Sequence, residues 1–212
     1  MKAEGAGIAY APIVCDRRKG GYKMDKKRKF PAQLVVYSDM RGKFDPALAE
    51  FDLRSLEYIE KPKRALWTST PTGESFASAW ERWRMSEYGD ERVDARLGYS
   101  YYDAYCEKEK EVAWEKLYLE LSKDGEIRTL LLPKDNVRVI EIDSKEDYAK
   151  KLLFDENDHV DWKALSLICD GVHLTENGLA ALGSCFGKLY GWDVESTVWL
   201  NADWIAEAIQ LD

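Results

Sequence analysis

Gly191-Trp192-Asp193-Val194-Glu195-Ser196-Thr197-Val198-Trp199-Leu200 sets β-branched and aromatic residues close together behind a Gly-Trp-Asp lead, the composition of a strand rather than a helix. On an extended chain successive side chains point to opposite faces. Asp193, Glu195, Thr197 and Trp199 are therefore expected on one side, and Val194, Ser196, Val198 and Leu200 on the other. An acid at the mouth of a buried strand is either solvated at the sheet's end or held over a cleft. Asn201 behind the strand reads as the cap of a closing helix.

Working upstream, Thr175 is expected to cap a helix running to Leu182, after a buried strand or turn within Leu167 to Leu174. Asp161 and Ser144 read as caps of two further helices, the latter reaching Leu153 with acids in its first turn, and Val137 to Ile142 reads as a strand. Leu117, Leu119 and Leu121 alternate before Asp124-Gly125, and Ile127, Thr129 and Leu131 alternate after it, which predicts a hairpin. Nearer the start, Ala32 to Tyr37 and Ala65 to Thr70 read as strands. Helices are predicted over Ala47 to Tyr58 and Ser75 to Tyr88, the latter with Phe76, Trp80 and Trp83 on one face. Glu91 to Gly98 is ambiguous, and Tyr101 to Lys110 reads as either a helix or an ordered loop. Strands do not alternate regularly with helices, so the order predicts an α+β fold with antiparallel sheets, not a doubly wound parallel sheet.

Composition narrows the function. The 212 residues suit one α+β domain over 31–212 behind a flexible basic arm over 1–30, which holds Arg17-Arg18-Lys19 and Lys26-Lys27-Arg28-Lys29. A net charge of −8 argues against broad binding to nucleic acid or anionic membranes. No apolar run approaches membrane-spanning length and the first residues lack a secretory core, so a cytoplasmic location is expected. Cys15, Cys106, Cys169 and Cys185 form no C-x-x-C pair, which predicts reduced, mostly buried thiols and no zinc site. His159 lies in an acidic loop, but the acid-rich loops show no metal-binding spacing, so no metal is expected. Eight Trp and twelve Tyr point to aromatic-lined pockets or interfaces.

Trp67-Thr68-Ser69-Thr70 followed much later by Asp193-Val194-Glu195 resembles the mono-ADP-ribosyltransferase superfamily, many of whose members are bacterial or phage toxin-like effectors. That superfamily carries an early strand with Arg or His, then a Ser-Thr-Ser strand, then a glutamate opening a late strand. The resemblance implies a split antiparallel β-sheet core with peripheral helices, NAD as substrate and a protein as acceptor. It implies Glu195 as the catalytic residue and Ser69 as its supporting hydroxyl. Tyr37, Ser38, Trp67, Thr68 and Thr70 would surround the dinucleotide, and Asp193 would face the acceptor. Tyr37-Ser38 stands where the family has Arg or His, and the nearest basic residue is Arg41. The chemistry suits these residue types: breaking the nicotinamide–ribose bond builds positive charge on the sugar, which an ionised carboxylate on the ribose 2′-hydroxyl stabilises in the transition state.

Two other readings stay open. A binding or assembly protein that keeps the scaffold without turnover would use its aromatics as interface anchors. Asp170-Gly171-Val172-His173 also resembles the Asp-x-x-His block of SGNH esterases, with Ser38 offered as nucleophile. There the order is Tyr37-Ser38-Asp39 where the family has Gly-Asp-Ser, and the plain alternative for His173 is a hydrogen-bonded histidine ahead of a capped helix. The chain contains neither G-x-x-x-x-G-K-[ST] nor G-x-G-x-x-G after a strand to cradle phosphate.

Overall fold

A computed structural model describes residues 13–16, 21–24, 30–37, 44–57, 61–72, 77–104, 107–122, 127–182 and 192–211. Its strands in chain order are β1 (Ile13–Asp16), β2 (Gly21–Met24), β3 (Gln33–Tyr37), β4 (Asp52–Glu57), β5 (Lys61–Arg64), β6 (Leu66–Thr68), β7 (Pro71–Thr72), β8 (Ala77–Ser78), β9 (Ile127–Pro133), β10 (Val139–Ile142), β11 (Gly171–Leu174), β12 (Ser196–Trp199) and β13 (Ile205–Leu211). The helices are α1 (Ala79–Tyr88), α2 (Glu91–Leu97), α3 (Tyr101–Ala104), α4 (Lys108–Ser122), α5 (Lys145–Lys151), α6 (Trp162–Ile168) and α7 (Glu176–Leu182). The fold is α+β.

Two sheets organise it. One has the order β10-β11-β12-β6, the other β13-β9-β3. They meet at a seam where Leu34 and Ser69 exchange both backbone hydrogen bonds, at 2.8 and 3.2 Å. The first sheet is mixed, because β10 and β11 run parallel. Parallel neighbours require a long crossover, and α5 and α6 supply it, which corrects the expectation of antiparallel sheets throughout. All four residues of β12 are buried. Val198 and Leu200 pack on one side with Val172, Leu174, Trp162 and Trp192, while Trp199 packs on the other with Leu66, Phe30 and Trp204.

Local capping signals are met where side-chain oxygens reach free helix amides. Ser144 accepts from Asp147 N, Asp161 from Ala164 N, and the Thr175 hydroxyl from Gly178 N. Helix α1 starts at Ala79 behind a reciprocal Ser78–Glu81 capping box. The ambiguous segment is α2, closed by Gly98 in the left-handed conformation at φ 75°.

Three expectations fail where pairing or packing outweighs local pattern. The predicted helix over Ala47 to Tyr58 is a single 3-10 turn, Pro46–Leu48, followed by β4, which pairs with β5 and lays Leu53 against the core. Leu117 to Leu121 belongs to helix α4. Trp114 and Tyr118 are spaced for one helical face and bury against Met85, Val93 and Tyr101, so a 15-residue helical stripe overrides three alternating leucines. Its presumed hairpin partner, β9, pairs instead with β3 and β13. Asn201 does accept from Asp203 N, yet the chain then turns into β13 because Ile205–Leu211 completes the edge of β9.

Within the segment read as a flexible arm, β1 and β2 pair as an antiparallel hairpin that contains Cys15. Cys169 is a buried free thiol, and burial raises its pKa to about 11, with Asp170 adding to the effect. The basic clusters, Phe76, Asp124-Gly125, Cys106 and Cys185 lie outside the described residues.

Candidate functional site

Register brings His173, Thr197 and Thr68 side by side across β11, β12 and β6. Thr70, two residues beyond Thr68, returns to the same face by alternation. There it grips Glu195. The Thr70 backbone N–H donates to Oε2 at 3.1 Å and its hydroxyl to Oε1 at 2.8 Å, so both carboxyl oxygens are held by one residue. Gln33 enters from β3 across the seam, fully buried. Its Oε1 accepts from Thr68 at 2.7 Å and Thr197 at 3.0 Å, while its Nε2 donates to Thr70 Oγ1 at 3.1 Å. Trp199 Nε1 donates to Thr68 Oγ1 at 2.8 Å. The ring of Trp199 can lie close to β11 because residue 171 is glycine: a Cβ there would meet Trp199 Cε3 at 2.7 Å.

Electrostatics single out two groups in this network. Glu195 is 8% exposed, and burial pushes its carboxyl up to about 7, opposed by the two Thr70 bonds and by Arg82 and reinforced by Glu176. Burial drives His173 the other way, to about 4, against the pull of Asp143 and the Ser196 backbone. Near neutral pH the imidazole is thus uncharged. Its Nδ1 bonds Thr197 Oγ1 at 2.9 Å and lies 3.5 Å from Glu195 Oε1, a contact without a charge pair. A carboxyl that titrates near 7 beside a neutral imidazole is a group able to ionise on demand.

The residues expected to share a site divide between the two faces of the sheet. Glu195, Thr68 and Thr70 lie together. Ser69 alternates away with Trp67 to line a cavity of about 480 Å³, bordered also by Trp80, Trp83, Trp192 and Asp193, and Glu195 does not line it. Thr68 borders that cavity as well, although its hydroxyl is committed to Gln33 and Trp199. The supporting hydroxyl of Glu195 is therefore that of Thr70, not Ser69. Asp193 does not share Glu195's setting either: regular strand begins only at Ser196, so period-two alternation does not extend back to residue 193, which is exposed. Trp67 packs edge-on against Trp192 with ring centroids 5.3 Å apart, and Lys61 Nζ sits 5.3 Å from the Trp67 centroid. Burial lowers the Lys61 pKa, with Asp193 opposing it. Tyr37 ends β3 opposite Ile127, and Ser38 lies outside the described residues.

Of the esterase arrangement, the Asp170–His173 hydrogen bond is not made. Asp170 accepts from Arg138 through its backbone at 2.8 Å and its guanidinium at 2.9 Å, and from Asn201 at 3.3 Å, while His173 turns to Thr197. Burial disfavours the Asp170 carboxylate, yet the Arg138 bonds outweigh it and hold the pKa below its usual value. Asp170 is a structural tie between β10, β11 and the end of β12.

Alternation put Thr197 and Trp199 on the Glu195 side without giving them a role, and sequence reasoning missed Gln33 altogether. A signal for Gln33 was present, since an amide inside Ala32-Gln33-Leu34-Val35-Val36 must find partners if that strand is buried. Among the described residues no group of three or more His, Cys, Asp or Glu is placed to hold a metal ion, and no helix is long and apolar enough to cross a membrane. Comparison with protein-family models, curated proteins and solved structures gave no match to this chain.

Proposed function

We propose that the protein is an ADP-ribosyltransferase-like enzyme that cleaves the nicotinamide–ribose bond of NAD and transfers ADP-ribose to a macromolecule, a protein in our reading. The observation that carries this proposal is the double grip of Thr70 on Glu195, which joins the end of the Thr68-Ser69-Thr70 segment to the glutamate before β12. Two sheets meeting at one seam beside that carboxyl also fit the split-sheet architecture of such transferases. Glu195, once ionised, would accept from the ribose 2′-hydroxyl and stabilise charge that develops as nicotinamide departs. Thr70 would hold the carboxylate in place, so that little reorganisation accompanies the reaction.

The test is nicotinamide release from NAD by the purified protein, alone and with a cell lysate as acceptor source, alongside Glu195→Gln. Loss of one charge-stabilising group is expected to cost about 10²- to 10³-fold in rate. Absence of release from wild type under both conditions, or equal release by the variant, would end the proposal. A non-catalytic binding protein is the second reading, favoured by the tryptophan-lined cavity that Glu195 does not border. It predicts no turnover at all.

A further inference from the structure

The hydrogen-bond chain around Gln33 has a direction, and two groups of fixed polarity set it. The Ala32 carbonyl can only accept, and it lies 3.3 Å from Gln33 Nε2, so that end of the amide is the NH₂. The indole N–H of Trp199 can only donate, so Thr68 Oγ1 accepts from it and sends its own hydrogen to Gln33 Oε1. Flipping the amide would set its oxygen against the Ala32 carbonyl and turn its NH₂ toward Thr68 and Thr197. As placed, Gln33 uses both hydrogens and accepts twice.

The consequences reach both titratable groups. Because Gln33 Nε2 donates to Thr70 Oγ1, a lone pair of that oxygen is occupied and its hydrogen goes to Glu195 Oε1. Because Thr197 gives its hydrogen to Gln33 Oε1, its oxygen accepts from His173 Nδ1. The imidazole therefore carries its proton on Nδ1 and leaves the lone pair on Nε2.

We propose that Gln33 is a positioning residue: it orients the hydroxyls of Thr70 and Thr197 so that Glu195 faces donors at both oxygens and His173 is locked as the Nδ1–H tautomer. The role assigned to Glu195 rests on the transferase reading, whereas the tautomer does not. Charged and titratable groups acting on the pair are Arg82 of α1, Glu176 of α7 and Asp143 after β10. None of them is altered by a change at residue 33.

The experiment is long-range ¹H–¹⁵N NMR on histidine-labelled protein near neutral pH, with half-buried His159 as internal reference, together with ¹³C titration of the Glu195 carboxyl. Wild type is expected to show His173 as the Nδ1–H form. In Gln33→Leu the tautomer preference should weaken, the Glu195 titration should move to higher pH, and nicotinamide release near pH 7 should fall about tenfold, mainly in kcat. An Nε2–H form or a tautomer mixture in wild type overturns the proposal, and that measurement decides even if Gln33→Leu fails to fold. Unchanged His173 and Glu195 signals in a folded Gln33→Leu overturn it equally. If wild type shows the Nδ1–H tautomer, Gln33→Leu weakens it, and NAD is not cleaved, the transferase reading fails while the positioning role stands.

Discussion

β6 and β12 present two unlike surfaces. On one face Thr68, Thr70, Thr197 and His173 link to Gln33 and Glu195 in a buried polar network in which each hydrogen finds an acceptor. On the other, Trp67, Trp192, Val198 and Leu200 pack with little polar demand, and the buried Trp192 Nε1 has no hydrogen-bond partner among the described residues. The contrast shows how adjacent residues acquire opposite duties. Ser69 and Thr70 are neighbours with similar chemistry, and only the second can reach Glu195. Buried polar networks specify geometry because an unmet group costs about 1–3 kcal/mol, whereas an apolar face tolerates rearrangement.

The sharpest break between the faces is expected from charge removal. Against the 10²- to 10³-fold loss expected for Glu195→Gln, Asp193→Asn across the sheet should change nicotinamide release less than about threefold, measured as kcat. An equal loss in the two variants would show that the cavity face takes part in the chemistry.

Next in size is a pH effect on stability. The folded Glu195 carboxyl titrates near 7, above its unfolded value of 4.5, so its contribution is fully present below pH 4.5 and is lost as pH rises through 7. The loss is on the order of 3 kcal/mol and should vanish in Glu195→Gln, as read from urea midpoints between pH 4.5 and 8. His173 acts oppositely: its contribution is present above pH 6.5 and is lost as pH falls through 4. If the protein is the transferase proposed above, nicotinamide release should rise with pH through about 7, as burial holds the Glu195 carboxyl protonated below that value.

A smaller effect separates the two hydroxyls. Thr70→Val keeps the shape and the backbone donor but removes the O–H, and should slow nicotinamide release about tenfold while raising the Glu195 titration. Ser69→Ala should alter the rate less than about twofold. A larger loss for Ser69→Ala than for Thr70→Val would reverse the assignment of the two faces.

Much of the scaffold was legible because its signals are local. Ser144, Asp161 and Thr175 cap helices through contacts three residues away, and the Val198-Trp199 strand declares itself by composition. The errors share one physical cause. Leu117 to Leu121 alternates over too short a span to compete with Trp114 and Tyr118 in a helical core, and Ile205–Leu211 became a strand because β9 offered it an edge. Neither partner is visible from within the segment itself.

For the site, sequence alone singled out Glu195 and the Thr68-Ser69-Thr70 segment, because their types and order along the chain resemble the ADP-ribosyltransferase pattern. Which hydroxyl serves the acid was a tertiary decision. The Leu34–Ser69 seam sets the facing of β6, and Thr197↔Thr68 register sets the facing of β12, so alternation delivers Thr70 and excludes Ser69. Gln33 joins them from 37 residues before Thr70 and 164 before Thr197. Separations of that length carry no periodicity, and only the meeting of two sheets creates the contact.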